Sequence, residues 1–404
     1  MTQRVAILGA TGSIGDSTLA LLEPNQTLPP SFEVYALSGH SRLDKLLSLC
    51  QQFRPSRVAV PEAAVSEFAS RLSQCGLDIE VVGGQAGLIS IVQDSAVDTV
   101  VAAIVGSAGL PSTLAAAQAG KRILLANKEA LVMAGSIMMK AVKDNGATLL
   151  PIDSEHNAIF QCLPAAIQQD NTQIHQSSYG VKKLWLTASG GPFLRQSYEE
   201  MSQASVAQAV NHPNWSMGQK ISIDSATMMN KGLELIEAAH LFDLPESQIE
   251  VVMHPQSIIH SMVEYSDGSY LAQLGSPDMK TPIAHALAYP ERMQAPVKPL
   301  DLFDLAALEF LRPDLDKFAC LRLARSAIRA GMVATISLNA ANEIAVQAFI
   351  DEQVKLTDIA LINERTMDKM GELSFEAPQQ IEEIIEVDQR ARQVALAEVA
   401  ALRS

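Results

Sequence analysis

Arg4-Val5-Ala6-Ile7-Leu8, followed by Gly9-Ala10-Thr11-Gly12-Ser13-Ile14-Gly15, opens the chain. A short apolar strand runs into a glycine-rich turn, and residues 16–22 then read as a helix. Glycines at such a junction let backbone N–H groups, at the positive end of a helix, approach a phosphate. Gly9, Thr11, Gly12, Ser13 and Ile14 therefore read as a nucleotide-binding turn. A tight turn with no ligand fits the same residues. The flanking strand and helix favour the nucleotide.

Alternation continues downstream. Residues 32–37, 58–60, 79–82, 97–105 and 122–126 are apolar strands with helical segments among them. The run at 97–105 is near-continuously apolar, as strands buried in parallel sheets are. This predicts an α/β fold with an N-terminal Rossmann-like parallel sheet domain over 1–150. After the second strand comes Ser38-Gly39-His40-Ser41-Arg42. No acid stands there to hold a ribose 2′-hydroxyl, whereas Gly39, His40, Ser41 and Arg42 suit a 2′-phosphate, which points to NADP. A polar solvated loop is the alternative. The strand at 122–126 ends in Asn127-Lys128-Glu129. Ligands of doubly wound sheets bind beyond the carboxyl ends of the strands, so Lys128 is placed to act on a substrate beside the nicotinamide. A surface lysine is the alternative.

A further apolar run, 147–152, ends in Asp153-Ser154-Glu155-His156. In extended chain, residues two apart point the same way, so Asp153 and Glu155 would face one space. Two close carboxylates repel unless they share a proton or a cation. Mg²⁺ and Mn²⁺ favour such oxygen ligands. Capping of the next helix is the alternative. Residues 221–225 lead into a helix over 226–240, on which Asn230 and Glu234 share a face with Lys231 beside them. Glu234 would complete a three-carboxylate site. Ser225, Asn230 and Lys231 could hold a phosphate with Ser189 and His212; a solvated amphipathic helix is the alternative. Gly190 and Gly191 read as an anion nest. The loop 211–218 carries Trp215 and reads as a lid or as a loop anchored on the core. Strands are expected at 254–261 and 270–274, with His254 and His260 structural.

These segments predict a central α+β catalytic domain over 151–285. A proline-rich linker follows over 286–314, then a C-terminal helical bundle over 315–404 with helices at 320–329, 338–350, 356–370 and 381–402. The net charge of −15 opposes a general nucleic-acid binder or a binder of anionic membrane. Hydrophobic residues at 48% and charged residues at 19% fit a globular chain with sizeable cores. The four cysteines form no CxxC pair, so neither a disulfide framework nor a thiolate metal site is expected. A first strand at Arg4 leaves no room for a signal peptide, and no apolar run approaches the roughly 20 residues of a membrane span. The expectation is a cytoplasmic protein.

Several longer blocks carry a resemblance. GATGSIG at 9–15, LLANKE at 124–129, DSEHNAIFQ at 153–161 and ASGGPF at 188–193 are joined by HPNWSMG at 212–218 and DSATMMNKGLE at 224–234. HPQSIIHSMV at 254–263 and LNAANE at 338–343 complete the set. Together they resemble the 1-deoxy-D-xylulose 5-phosphate reductoisomerase family from end to end. The resemblance implies metal ligands Asp153, Glu155 and Glu234 for Mg²⁺ or Mn²⁺. It implies substrate contacts at Lys128, Ser154, Ser189, His212, Ser225, Asn230 and Lys231, with Trp215 over the sugar and Lys128 and His212 in the catalytic set. For NADPH it implies Thr11 to Ile14, Asn127, Glu129 and Gly218; the match around Gly39 to Arg42 is looser. It also implies a homodimer, a sugar phosphate substrate, and a place in the non-mevalonate route to isoprenoid precursors. The reaction would rearrange a ketose phosphate skeleton by a retro-aldol/aldol route or a ketol shift, then reduce the aldehyde with NADPH. Two rival classes remain on the residues alone. An ordinary NADP-dependent dehydrogenase would work in chelator. A nucleotide-sensing binding protein would bind NADPH and turn nothing over.

Overall fold

The computed structural model describes residues 2–22, 31–215, 217–305 and 307–403. Contacts divide them into two compact units. The first comprises Met1–Ala130, Met138–Asn157 and Asp278–Lys298; the second comprises Leu131–Ile137, Ala158–Pro277 and Pro299–Ser404.

The first unit is built on β1 (Gln3–Leu8), β2 (Phe32–Ser38), β3 (Arg57–Val60), β4 (Glu80–Gly83), β5 (Thr99–Ala102), β6 (Arg122–Leu125) and β7 (Thr148–Pro151). They form one sheet in the order β4-β3-β2-β1-β5-β6-β7. Every adjacent pair is parallel. Val5, Ala6, Ile7, Val100, Val101, Ile123 and Leu124 are all fully buried, as strands covered on both faces must be. Strand order reverses between β1 and β5, and the crevice at that switch point is where doubly wound sheets take their ligands. The glycine turn after β1 lies there. Gly9 has φ +86°, and a Cβ on it would sit 2.6 Å from the Ala103 carbonyl oxygen, so this passage admits only glycine. The helix Ser13–Leu21 starts with Gly12 as its N-cap. That is three residues earlier than the sequence predicts, because the turn supplies the first free N–H groups itself.

The helix Lys280–Ala288 also belongs to this unit and packs on β6, β7 and Ser13–Leu21. The sequence reading has no helix there. Pro282 falls in the first turn, where a proline is tolerated, and Ile283, Ala286 and Leu287 bury around it. Much of the expected linker is thus part of the sheet unit.

The second unit holds β8 (Val181–Ala188), β9 (Ile249–Met253), β10 (Ile259–Tyr265) and β11 (Tyr270–Leu274), ordered β11-β10-β8-β9. β8 and β9 run parallel; the other pairs are antiparallel. Residues 254–258 are a turn rather than strand, with Ser257 at φ 53°. The C-terminal helices Ala319–Ala330, Met332–Ile350, Asp358–Gly371 and Ile381–Arg403 pack together. Ala319–Ala330 also packs on Met229–Leu241, so these helices share a unit with the four-stranded sheet instead of standing apart. Met332–Ile350 has the length and hydropathy of a membrane span, but 67% of that window is buried among its neighbours.

Candidate active site

The sheet unit contributes two clusters. At β1, Arg42 Nη1 and Lys45 Nζ each donate to the Thr11 carbonyl oxygen at 3.1 Å, and Lys45 also reaches Asp16 at 2.7 Å. His40, Ser41 and Arg42 are exposed just beyond β2, and Gly39 N–H is bonded to Ala59 O. Lys45 carries no signal in the sequence reading, because it lies one helical turn past the loop.

The second cluster lies at the carboxyl ends of β6 and β7. Asn127 caps the helix Lys128–Asp144 by accepting from Ala130 N–H at 3.1 Å, and its amide donates to the Ile104 and Gly106 carbonyls. That side chain is committed to the fold. Lys128, 8% exposed, pairs with Asp153 at 2.7 Å. The helix Ser154–Cys162 begins immediately after Asp153, whose carbonyl accepts the Asn157 N–H at 2.9 Å. Glu155 is therefore helical, and the extended-chain argument for its direction does not hold. The two carboxylates meet nonetheless across the first turn of the helix. Burial acts to raise the Asp153 carboxyl, but Lys128, His156 and a hydrogen bond with Glu155 outweigh it and hold it well below the usual carboxylate range. Ser154 Oγ donates to Glu155 Oε2 at 2.6 Å. Asn157 ties this helix down, donating to Pro151 O at 2.9 Å and to His285 Nδ1 at 3.1 Å.

In the second unit, His212 organises the tryptophan loop. Its Nδ1 accepts from Asn214 N–H at 3.2 Å and Trp215 N–H at 3.0 Å. With Nδ1 an acceptor, Nε2 carries the proton and donates to Ser189 Oγ at 2.8 Å. Burial pushes this imidazole's pKa down, which keeps it in that neutral form. Asn214 donates to Pro255 O at 2.7 Å and Ser257 Oγ at 3.1 Å, and the Trp215 ring lies 6.1 Å from that of His260. Ser216 lies outside the described residues, and Gly218 is exposed. Gly191 N–H donates to Ser189 Oγ at 3.2 Å, so that part of the expected nest is used internally.

The expected helix over 226–240 begins later, at Met229, and a separate helix precedes it. Gln219–Ala226 ends, Met228 takes φ 62°, and Met229–Leu241 begins. The 221–225 run is thus helical. Gly191, at φ 63°, lies against this break: a Cβ there would be 2.8 Å from Ser225 O, so Ser189 and Ser225 are brought to one place. On the second helix Glu234, 1% exposed, receives Asn230 Nδ2 on one oxygen and Lys231 Nζ on the other. His254 is structural in its geometry: Nε2 accepts from Ile258 and Ile259 N–H at 3.2 Å, and Nδ1–H donates to Glu309 O at 2.9 Å.

A dinucleotide-type sheet with a buried lysine–carboxylate cluster at its strand ends, joined in one chain to a serine, histidine and lysine cluster, is the equipment of a cofactor-dependent oxidoreductase of phosphorylated substrates. Three family models match. One described as 1-deoxy-D-xylulose 5-phosphate reductoisomerase covers residues 5–135, its C-terminal domain covers 149–242, and a DXP reductoisomerase C-terminal domain covers 274–394. The reductoisomerase of Psychrobacter cryohalolentis is 72% identical over 393 residues, covering 97% of each chain. That of Acinetobacter baumannii is 56% identical over 397 residues, covering 98% of each. A crystal structure of DOX-P reductoisomerase with NADPH, fosmidomycin and magnesium is 60% identical with a TM-score of 0.96, covering 100% of this chain and 99% of that one. The Zymomonas mobilis enzyme with NADPH is 44% identical, with a TM-score of 0.88 and 99% of each chain covered. The chain belongs to the 1-deoxy-D-xylulose 5-phosphate reductoisomerase family.

Proposed function

We propose that Lys128, Asp153, Ser154 and Glu155, with Glu234, form the reacting centre of this enzyme, and that the three carboxylates hold its divalent cation. The chain is an NADP-dependent oxidoreductase. It isomerises and reduces 1-deoxy-D-xylulose 5-phosphate to 2-C-methyl-D-erythritol 4-phosphate with NADPH and a divalent metal, in the non-mevalonate route to isoprenoid precursors. The observation that carries the residue assignment is the contact of Asp153 with Glu155 beside Lys128, at the carboxyl ends of β6 and β7. The carboxylate oxygens of Asp153 and Glu155 are donors that suit Mg²⁺ or Mn²⁺. When bound, the cation polarises the ketone and its neighbouring hydroxyl, and the nicotinamide supplies a hydride.

The chain's own groups divide the remaining work. Lys128 orients the substrate and stabilises negative charge beside Asp153. Ser189, Ser225, Asn230, Lys231 and His212 hold the phosphate, whose binding energy fixes the reacting carbons. Trp215 excludes water from the aldehyde. Gly9, Thr11, Gly12, Ser13 and Ile14 take the pyrophosphate, with Asn127, Glu129 and Gly218 lining the cofactor. Gly39, His40, Ser41 and Arg42 take the 2′-phosphate. Replacing Glu155 with Gln keeps the shape and removes a charge. NADPH affinity is expected to survive, while turnover falls by orders of magnitude, the scale of several kcal/mol of lost Lewis-acid stabilisation. Wild-type turnover by the variant would make the acids structural.

The protein is further proposed to be a cytoplasmic homodimer. β11 is a sheet edge whose Tyr270, Leu271 and Leu274 are 40–51% exposed, and Phe303 is fully exposed. An exposed apolar edge invites a second chain. Sedimentation at micromolar concentration should return twice the chain mass of 43.4 kDa; a monomer would remove this proposal.

A further inference from the structure

The geometry points to Asn342, on the C-terminal helix Met332–Ile350, as a positioning residue for the phosphate end of the site. The inference rests on the reading that Ser225, Asn230 and Lys231 hold the phosphate. Asp224 immediately precedes Ser225 on the helix Gln219–Ala226 and is 1% exposed. A carboxylate that deep requires donors. One is Lys220 Nζ, a turn earlier on the same helix, at 2.9 Å. The other comes from a different part of the chain: Asn342 Nδ2 donates to Asp224 Oδ1 at 2.7 Å. Asn342 is itself fully buried, and its carbonyl oxygen accepts from Asn363 Nδ2 at 3.3 Å. The amides thus donate in sequence, Asn363 to Asn342 to Asp224. Burial and then the Asp224 charge push the neighbouring Cys320 thiol up to about 12.

Buried ionic groups can often be replaced as a set by apolar side chains without loss of stability, so stability alone does not account for this one. What it does here is fix a helix end. The helix stops at Ala226, two residues past Asp224, and the left-handed Met228 turns the chain into the helix bearing Asn230 and Lys231. The Ser225 carbonyl packs against Gly191, and so against the loop carrying Ser189. Movement of Asp224 therefore displaces Ser225, the start of the next helix and the Ser189 loop together. Asn342 sets the phosphate donors by holding Asp224, and touches no substrate.

The test is steady-state kinetics on Asn342→Leu, which removes the amide and keeps the branched outline of the side chain. The expected result is a KM for 1-deoxy-D-xylulose 5-phosphate raised at least tenfold, kcat within threefold of wild type, and an unchanged NADPH dissociation constant. Turnover of the same ketose without its phosphate should be unaltered, because a purely structural defect would lower it too. In an Asp224→Leu background Asn342→Leu should add nothing. If Asn342→Leu does not fold, Asn363→Ala is expected to shift KM in the same direction by a smaller factor. An unchanged KM in whichever variant folds, or an equal loss on the phosphate-free ketose, overturns the inference. Ser225→Ala separates the two failures. If its KM is unchanged, the phosphate lies elsewhere and the underlying reading falls. If its KM rises while that of Asn342→Leu does not, only the inference falls.

Discussion

Histidine protonation is the residue-scale property with the clearest consequence for the whole fold. Burial, with a smaller contribution from Lys231, pushes the His260 imidazole down to about 4; burial and Arg292 do the same for His285. His285 accepts the Asn157 amide at Nδ1 and so needs its neutral form. Both folded pKa values lie below the unfolded value of about 6.5, so the unfolded chain binds more protons as pH falls through that window. The stability these neutral rings contribute is full above about pH 6.5 and is lost progressively toward pH 4. Denaturant unfolding at pH 7 and pH 5 should show the loss. His285→Gln, which keeps an acceptor for Asn157, should flatten the slope by up to about 1.4 kcal/mol per pH unit. Equal stability of the wild type at both pH values would mean these rings titrate normally.

At the scale of elements, the legible parts were those with an unambiguous period. The parallel strands and the glycine turn are readable because buried apolar runs and glycine junctions have few other uses. The C-terminal helices are readable from their length. The misread elements share a cause: a polar or proline-bearing stretch decided by tertiary contact. Residues 221–225 alternate apolar and polar like a strand, yet Asp224 is stabilised inside a helix by Asn342 from far along the chain. Lys280–Ala288 carries Pro282 in its first turn and runs into the proline-rich stretch expected as a linker, so no helix was expected there. Glu155 was paired with Asp153 for the wrong geometric reason, a helical first turn replacing an extended chain. Residue types pointed to the proposed site chemistry, but the bonds of Asn342, Lys45 and the His285–Asn157 pair run to partners no local pattern reveals. The tryptophan loop is the element whose behaviour follows most directly from its bonds. Among the described residues the His212 ring, the Asn214 amide and the Trp215–His260 ring contact anchor it, and a loop held by such contacts can re-form around substrate. Trp215 fluorescence, read with Trp185 replaced by Phe, should change when the sugar phosphate binds. No change, with full activity in Trp215→Ala, would make the loop a static part of the wall.

At the scale of the whole molecule, the account assigns a cofactor-binding sheet unit and a second unit of sheet and helices to one reaction. Neither rival class of protein predicts that a single cation requirement governs both skeletal rearrangement and hydride transfer. NADPH oxidation on adding 1-deoxy-D-xylulose 5-phosphate, followed with and without EDTA, tests that directly. The account predicts substrate-dependent oxidation that EDTA abolishes and excess Mg²⁺ or Mn²⁺ restores. Undiminished oxidation in EDTA, or none with this substrate in the presence of metal, would contradict it.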